Sequence, residues 1–214
     1  MKRRVLGVLV LALVVAVGAY VWYVHFNYRF ETISAGRVYR SGVIPPDRIA
    51  DYIERYGIRT VIDLRDPGGE RDALHPEKVK EIQAEAEAIA KLPGVRHVNI
   101  PSRQVPTPET LAHFFEVLDH EENYPVLIHC HHGTGRAQIY SAIYRIEYEG
   151  WSNEAARGAT RAVVEFLGYR SSFADGKPKG DFLMHYVPRA RQDVAHGAEK
   201  DALLMLPAHL RFAG

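Results

Sequence analysis

The stretch His129-Cys130-His131-His132-Gly133-Thr134-Gly135-Arg136 has the residue types and spacing to carry chemistry. Cys130 and Arg136 are separated by five residues, two of them glycine. A compact apolar segment from Pro125 precedes the stretch and a helical pattern begins near Ala137, so it reads as a strand–loop–helix turn. Such a turn points consecutive backbone N–H groups inward and aims a helix N-terminus at the same spot, and both features favour an anion. They also favour a thiolate over a thiol. Arg136 adds a planar, two-pronged donor matched to a phosphoryl group. The chemistry expected is attack by Cys130 on phosphorus, giving a phosphocysteine that water then hydrolyses.

Cys130 is the only cysteine, so no intramolecular disulfide and no Cys-rich zinc site can form. His129 to His132 look rich in metal ligands, but four consecutive residues cannot all turn their side chains to one tetrahedral ion. No metal and no organic cofactor is expected. The chain has 214 residues, 47% of them apolar and 25% charged, which suits one compact domain with an appendage and excludes wholesale disorder. Lys and Arg total 27 against 26 Asp and Glu, a balance unsuited to holding nucleic acid on a broad basic surface.

The elements that must position the loop alternate. Val38 to Gly42 reads as a short strand and turn, and Pro45-Pro46-Asp47 opens a helix to about Tyr56, closed by Gly57. Ile58 to Leu64 reads as a buried strand. Pro76 starts a helix with Val79, Ile82, Ala86 and Ile89 on one face, and Val95 to Ile100 is the next strand. Thr107-Pro108-Glu109 starts a helix with Leu111, Phe114, Phe115 and Leu118 as its buried stripe. Ile139, Ile143 and Ile146 mark the helix after the loop, and Ser152 begins another that runs to about Gly168. The segment 171–180 reads as a loop. The order βαβαβαβ followed by helices predicts an α/β domain, a central and mostly parallel sheet flanked by helices.

Ahead of this domain, Met1-Lys2-Arg3-Arg4 is followed by an uncharged run from Val5 to Val24. Twenty residues at about 1.5 Å each give roughly 30 Å of helix, the thickness of a bilayer core. Tyr20, Trp22, Tyr23, Phe26, Tyr28 and Phe30 at its end resemble an interfacial aromatic belt. The cations at the start predict a cytoplasmic N-terminus and an extracytoplasmic domain, periplasmic if the organism is bacterial. A cleavable signal peptide shares this basic start, and Val17-Gly18-Ala19 offers it small residues, but the apolar run continues beyond them. The expected organisation is a basic tip at 1–4, a transmembrane anchor or signal peptide at 5–24, a linker at 25–35, a catalytic domain at 36–190 and a tail at 191–214.

The stretch HCHHGTGR resembles the His-Cys-x5-Arg signature of cysteine-dependent protein tyrosine and dual-specificity phosphatases, and the resemblance extends over about residues 36–187. Val38-Tyr39-Arg40-Ser41-Gly42 and Val61-Ile62-Asp63-Leu64-Arg65 are similar to early strands of the atypical dual-specificity group, as are Tyr144-Arg145-Ile146 and Gly150-Trp151-Ser152 to its later helix and turn. The resemblance implies a dual-specificity-phosphatase-like fold. It implies Cys130 as nucleophile and Arg136 as the clamp on phosphate and transition state. Residues His131, His132, Gly133, Thr134 and Gly135 would then bind substrate through backbone N–H donors, and His129 would support the loop. Three departures stand out. Ala137 replaces the Ser or Thr whose hydroxyl helps the thiolate leave, and Gly135 stands where bacterial relatives often carry Asp. No carboxylate occurs in residues 99–104, where the general acid is expected. Asp66, Glu109, His131 and His132 are the replacement candidates, with Asp66 preferred because it follows the C-terminal end of its strand.

Rival thiol chemistries fit less well. Rhodanese-type sulfurtransferases use a loop one residue shorter, thiol-based arsenate reductases need further cysteines, and low-molecular-weight phosphatases place the motif at the N-terminus. A phosphate-binding pseudophosphatase is the main non-enzyme alternative, although a pure binder has no need of the thiol. The expected partner is a phosphorylated substrate, either a protein or a phospholipid or inositol phosphate. Arg40, Arg65 and Arg103 near strand ends are the cations that would favour a polyanionic one.

Overall fold

A computed structural model describes residues 2–67, 76–160 and 171–190. The chain divides into two units, residues 1–141 and 142–214. The first holds α1 (Lys2–His25), β1 (Glu31–Ser34), β2 (Val38–Ser41), α2 (Ile49–Tyr56), β3 (Thr60–Asp63), α3 (Pro76–Ile89), β4 (Arg96–Asn99), α4 (Pro108–Leu118), a 3-10 turn (Glu121–Asn123) and β5 (Val126–His129). Helix α5 (Arg136–Tyr148) crosses from the first unit into the second, which also holds α6 (Asn153–Ala159) and α7 (Pro178–His185).

The sheet order is β1-β2-β5-β3-β4. Strand β5 lies at the centre, parallel to β2 on one side and to β3 on the other, and β4 is parallel to β3. Only β1 is antiparallel, pairing with β2 at the edge. Val61, Ile62, Val126, Leu127 and Ile128 are fully buried. That is the unbroken apolar pattern of parallel strands covered on both faces. Helix boundaries follow the expected local signals. Gly57 closes α2 at a φ of 63°, and the Thr107 hydroxyl accepts from Thr110 N at 3.3 Å with Pro108 beside it at the start of α4.

Several elements differ from expectation. Strand β1 lies inside the span read as a linker, because Glu31-Thr32-Ile33-Ser34 is short, mixed in polarity and bonded along one edge only. The stretch from Pro45 to Arg48 is a turn, with Arg48 N donating to the Pro45 carbonyl at 2.8 Å, and α2 begins only at Ile49. Helix α7 starts within the expected loop 171–180, with Pro178 in its first turn. The later part of the helix begun at Ser152 and the tail at 191–214 fall outside the described residues.

Helix α1 contains one segment, Arg4–His25, long and apolar enough to cross a membrane, with mean hydropathy 2.6 and none of its most apolar window buried. A core helix of a soluble domain would be covered on its apolar face, so two readings are left, a membrane span or a signal sequence.

Candidate active site

Parallel register brings four residues into one row at the C-terminal edge of the sheet: Ser41, His129, Asp63 and Asn99. The chain leaves every one of these strands on the same side, the side where open α/β sheets bind ligands. Cys130 therefore emerges from the central strand, flanked by the turn after β2 and the exit of β3. Leu64 N donates to the His129 carbonyl at 3.0 Å, which extends the ladder one step beyond β3.

The loop from Cys130 to Arg136 is held from the β2 side. Val43 N donates to the His131 carbonyl at 3.2 Å. Gly133 has a φ of 73°, and a Cβ there would lie 2.6 Å from Gly42 N and 2.8 Å from the Ser41 carbonyl oxygen. Glycine is required by both conformation and space. Among the described residues, the amides of residues 132–135 donate to no backbone carbonyl. A planar trans peptide sets N–H opposite C=O, so an outward His131 carbonyl turns the His132 amide into the loop. Cys130 is 3% exposed, and Ala137 N at the start of α5 donates to its Sγ at 3.5 Å. The sulfur thus sits at a helix N-terminus beside uncommitted donors.

Arg136 is steered by carbonyls on the opposite flank. Its Nη1 donates to the Leu64 carbonyl at 2.9 Å and to the Ser102 carbonyl at 3.3 Å. Buried Ser102 is in turn fixed by the Tyr140 hydroxyl, which donates to Ser102 Oγ at 2.9 Å. Burial raises the Tyr140 pKa, keeping that hydroxyl a donor.

Sequence comparison decides the family. Residues 29–170 match the model of the DSP-PTPase phosphatase fused to NAD+ kinase. The chain belongs to this DSP-PTPase family. The dual specificity protein phosphatase TpbA of Pseudomonas aeruginosa strain UCBPP-PA14 is 38% identical over 64 residues, and TpbA of a second P. aeruginosa strain is 36% identical over 64. Each alignment covers 29% of this chain and 29% of the relative's length. The fold is that of the crystal structure of P. aeruginosa TpbA, with a TM-score of 0.54 at 20% identity over 80% of this chain and 92% of that one. It is equally that of the core catalytic domain of the PP-IP phosphatase SIW14 from S. cerevisiae in complex with citrate. There the TM-score is 0.52 at 17% identity, over 79% of this chain and 92% of that one.

Behind the DSP-PTPase loop lies a charged cluster that motif reading did not assemble. Arg65 Nη2 donates to Asp63 at 2.8 Å and to Glu85 at 3.0 Å. His129 Nε2 lies 2.8 Å from Glu85 Oε1, and His97 Nε2 lies 3.3 Å from the same oxygen. Burial alone would raise the Glu85 carboxyl, but His129, His97 and Arg65 outweigh it and hold it at about 2. Asp63 is lowered in the same way against its burial, by His129, His97 and Arg65. Burial opposes charge on His97, yet the two carboxylates raise it to about 9. Asp63, Glu85, His97 and His129 offer four ligand atoms within 4.8 Å of one another. The Arg65 guanidinium already holds both carboxylates, so a metal ion would have to displace a cation to take them. A signal for Glu85 existed: it falls on the buried face of α3 between Ile82 and Ile89, an unusual place for an unpaired acid.

Other candidates sort by position. Arg40 is buried and paired with Glu31, and Arg65 is committed to Asp63 and Glu85, whereas Arg103 is exposed. The segment 99–104 does reach the site, through the Ser102 carbonyl on Arg136, but it brings no carboxylate. Glu109 is exposed in the first turn of α4, where the Thr107 side chain and its own backbone amide lower its pKa, a helix-cap role that opposes proton donation. Asp66 is half-buried two residues beyond Leu64, on the segment that holds Arg136. His131 is half-buried and His132 exposed, their rings 4.4 Å apart.

Proposed function

We propose that this DSP-PTPase chain hydrolyses phosphomonoesters through Cys130. The reading is supported by three groups on one strand–loop–helix turn: Sγ held at the start of α5, amides of residues 132–135 that donate to no backbone carbonyl among the described residues, and Arg136 held by two carbonyls. The Cys130 thiolate attacks phosphorus, an S–P bond forms, and the P–O bond to the leaving group breaks. The departing oxygen takes a proton from the general acid, for which Asp66 is the proposed residue. Water then attacks phosphorus and gives its proton back to the Asp66 carboxylate, the S–P bond breaks, and inorganic phosphate leaves with the thiolate restored. Residues 131–135 and Arg136 bind the equatorial oxygens throughout, and His129 supports the loop from the strand end. No step calls for a metal or cofactor.

The substrate is read as a phosphorylated protein side chain, with a phospholipid or inositol phosphate as the second class; SIW14, a PP-IP phosphatase, shares the fold. Helix α1 is read as a retained anchor with the N-terminus cytoplasmic and the catalytic domain extracytoplasmic, periplasmic if bacterial. The bare apolar surface of α1 supports this, as does its continuation past Ala19. The test is phosphate release from an aryl phosphate by the full chain in detergent, reduced and without added metal. Release by the wild type that falls to background in Cys130→Ser supports the reading. Equal release by both contradicts it, and no release by either would favour a phosphate-binding module.

A further inference from the structure

The segment between α1 and β1 is built into the catalytic loop. Gly42 N, in the turn that packs against Gly133, donates to the Tyr28 carbonyl at 2.8 Å. Arg29 Nη1 donates to the carbonyl of His132 at 3.2 Å. Arg29 N in turn donates to the Tyr23 carbonyl in the last turn of α1 at 2.9 Å. Tyr28 and Arg29 both have a φ of 52°, a left-handed conformation that side chains rarely adopt twice in succession. Phe30 anchors the segment beyond them, stacked on Tyr56 and Tyr39 with ring centroids 4.3 and 5.4 Å away.

The peptide joining His132 to Gly133 gives Arg29 its leverage. An outward His132 carbonyl turns the Gly133 N–H inward, because the two point oppositely across a trans peptide. Val43 fixes the preceding peptide in this way from the β2 side. Arg29 supplies the matching constraint from the N-terminal side. We propose that Arg29 is a positioning residue for the phosphate cradle, so that the cradle forms fully only when the segment leaving α1 is docked. The proposal rests on reading residues 131–135 as the phosphate-binding loop. It ties the end of the apolar helix to the site through four residues, Phe26 to Arg29, and makes oxyanion affinity depend on that docking.

The test uses the full chain in detergent micelles carrying Arg29→Gly. Glycine adopts positive φ without steric cost, so this variant removes the donor and relaxes the backbone together. The expected result is unchanged or raised thermal stability with weaker oxyanion binding. KM for an aryl phosphate, and the orthovanadate concentration that protects Cys130 from iodoacetamide, should each rise about three- to tenfold, the span of one net hydrogen bond. The kcat should change much less. Arg29→Lys should recover most of the loss, since an ammonium also donates to a carbonyl. Unchanged KM and unchanged orthovanadate protection in Arg29→Gly would overturn the proposal. So would a parallel fall in stability and kcat that lysine does not rescue. Orthovanadate protection reads the loop without turnover; if it behaves as expected while wild type and Cys130→Ser release phosphate equally, the hydrolase reading fails and this one stands.

Discussion

Cys130 and Arg136 are each held by backbone at the start of α5. Sγ accepts from Ala137 N, and the guanidinium donates to the carbonyls of Leu64 and Ser102. Nothing in that arrangement supplies a proton to the leaving oxygen, and the segment 99–104 contains no carboxylate. The half-buried Asp66 shares the exit of β3 with Leu64, whereas Glu109 is an exposed cap with a lowered pKa. With Asp66 as the proposed acid, the effect of losing it depends on the leaving group. An alkyl phosphate needs a proton donor, so Asp66→Asn should slow its hydrolysis about 100-fold, near the lower end of general-acid effects. An aryl phosphate, with its better leaving group, should be hardly affected. Equal slowing of the two substrates would remove Asp66 from the acid role.

At the scale of elements, the site depends on two contacts, the loop against the β2 turn and β5 against the charged cluster behind it. Gly133→Ala places a Cβ against Gly42 N at positive φ, and should cost at least about 1 kcal/mol of stability while depressing activity. Gly36→Ala, at a φ of 70° in open space, is the control that should lose stability without selective loss of activity. The cluster makes stability depend on pH. His97 is raised from 6.5 to about 9, so its contribution is complete below pH 6.5 and lost as pH rises through 9. Glu85 is lowered from 4.5 to about 2, so its contribution is complete above pH 4.5 and lost as pH falls toward 2. Thermal melting against pH should therefore plateau between about pH 4.5 and 6.5, with an alkaline decline that flattens in His97→Gln. A decline unchanged in that variant would place its cause elsewhere. The strand–loop–helix around Cys130 was legible because Pro125 to Ile128 is an unbroken apolar run followed by glycines. The cluster was not, because Asp63, Glu85, His97 and His129 are far apart in sequence and only parallel register aligns Asp63 with His129. Strand β1 was missed for a related reason: four residues bonded along one edge carry no period of their own.

For the whole molecule, the sheet takes in residues that the motifs leave in a linker. Phe30 is buried among Tyr39, Tyr52 and Tyr56, and β1 completes the sheet directly after it. Phe30→Ala should destabilise the protein by about 3 kcal/mol in denaturant titration, the usual cost of emptying a buried aromatic site. A loss under about 0.5 kcal/mol, typical of a surface change, would return the segment to a linker. Ala137 bears directly on how a loop at the middle of the sheet would handle phosphate. It brings no hydroxyl directly after Arg136, so the proposed phosphocysteine loses its thiolate without help from that position and should build up during turnover. The most direct measurement is a rapid acid quench of the full chain with a radiolabelled aryl phosphate, followed by peptide mapping of the trapped label. Label should appear on Cys130 and be absent in Cys130→Ser. Phosphate released from the wild type with the label on another residue, or on none, would contradict it.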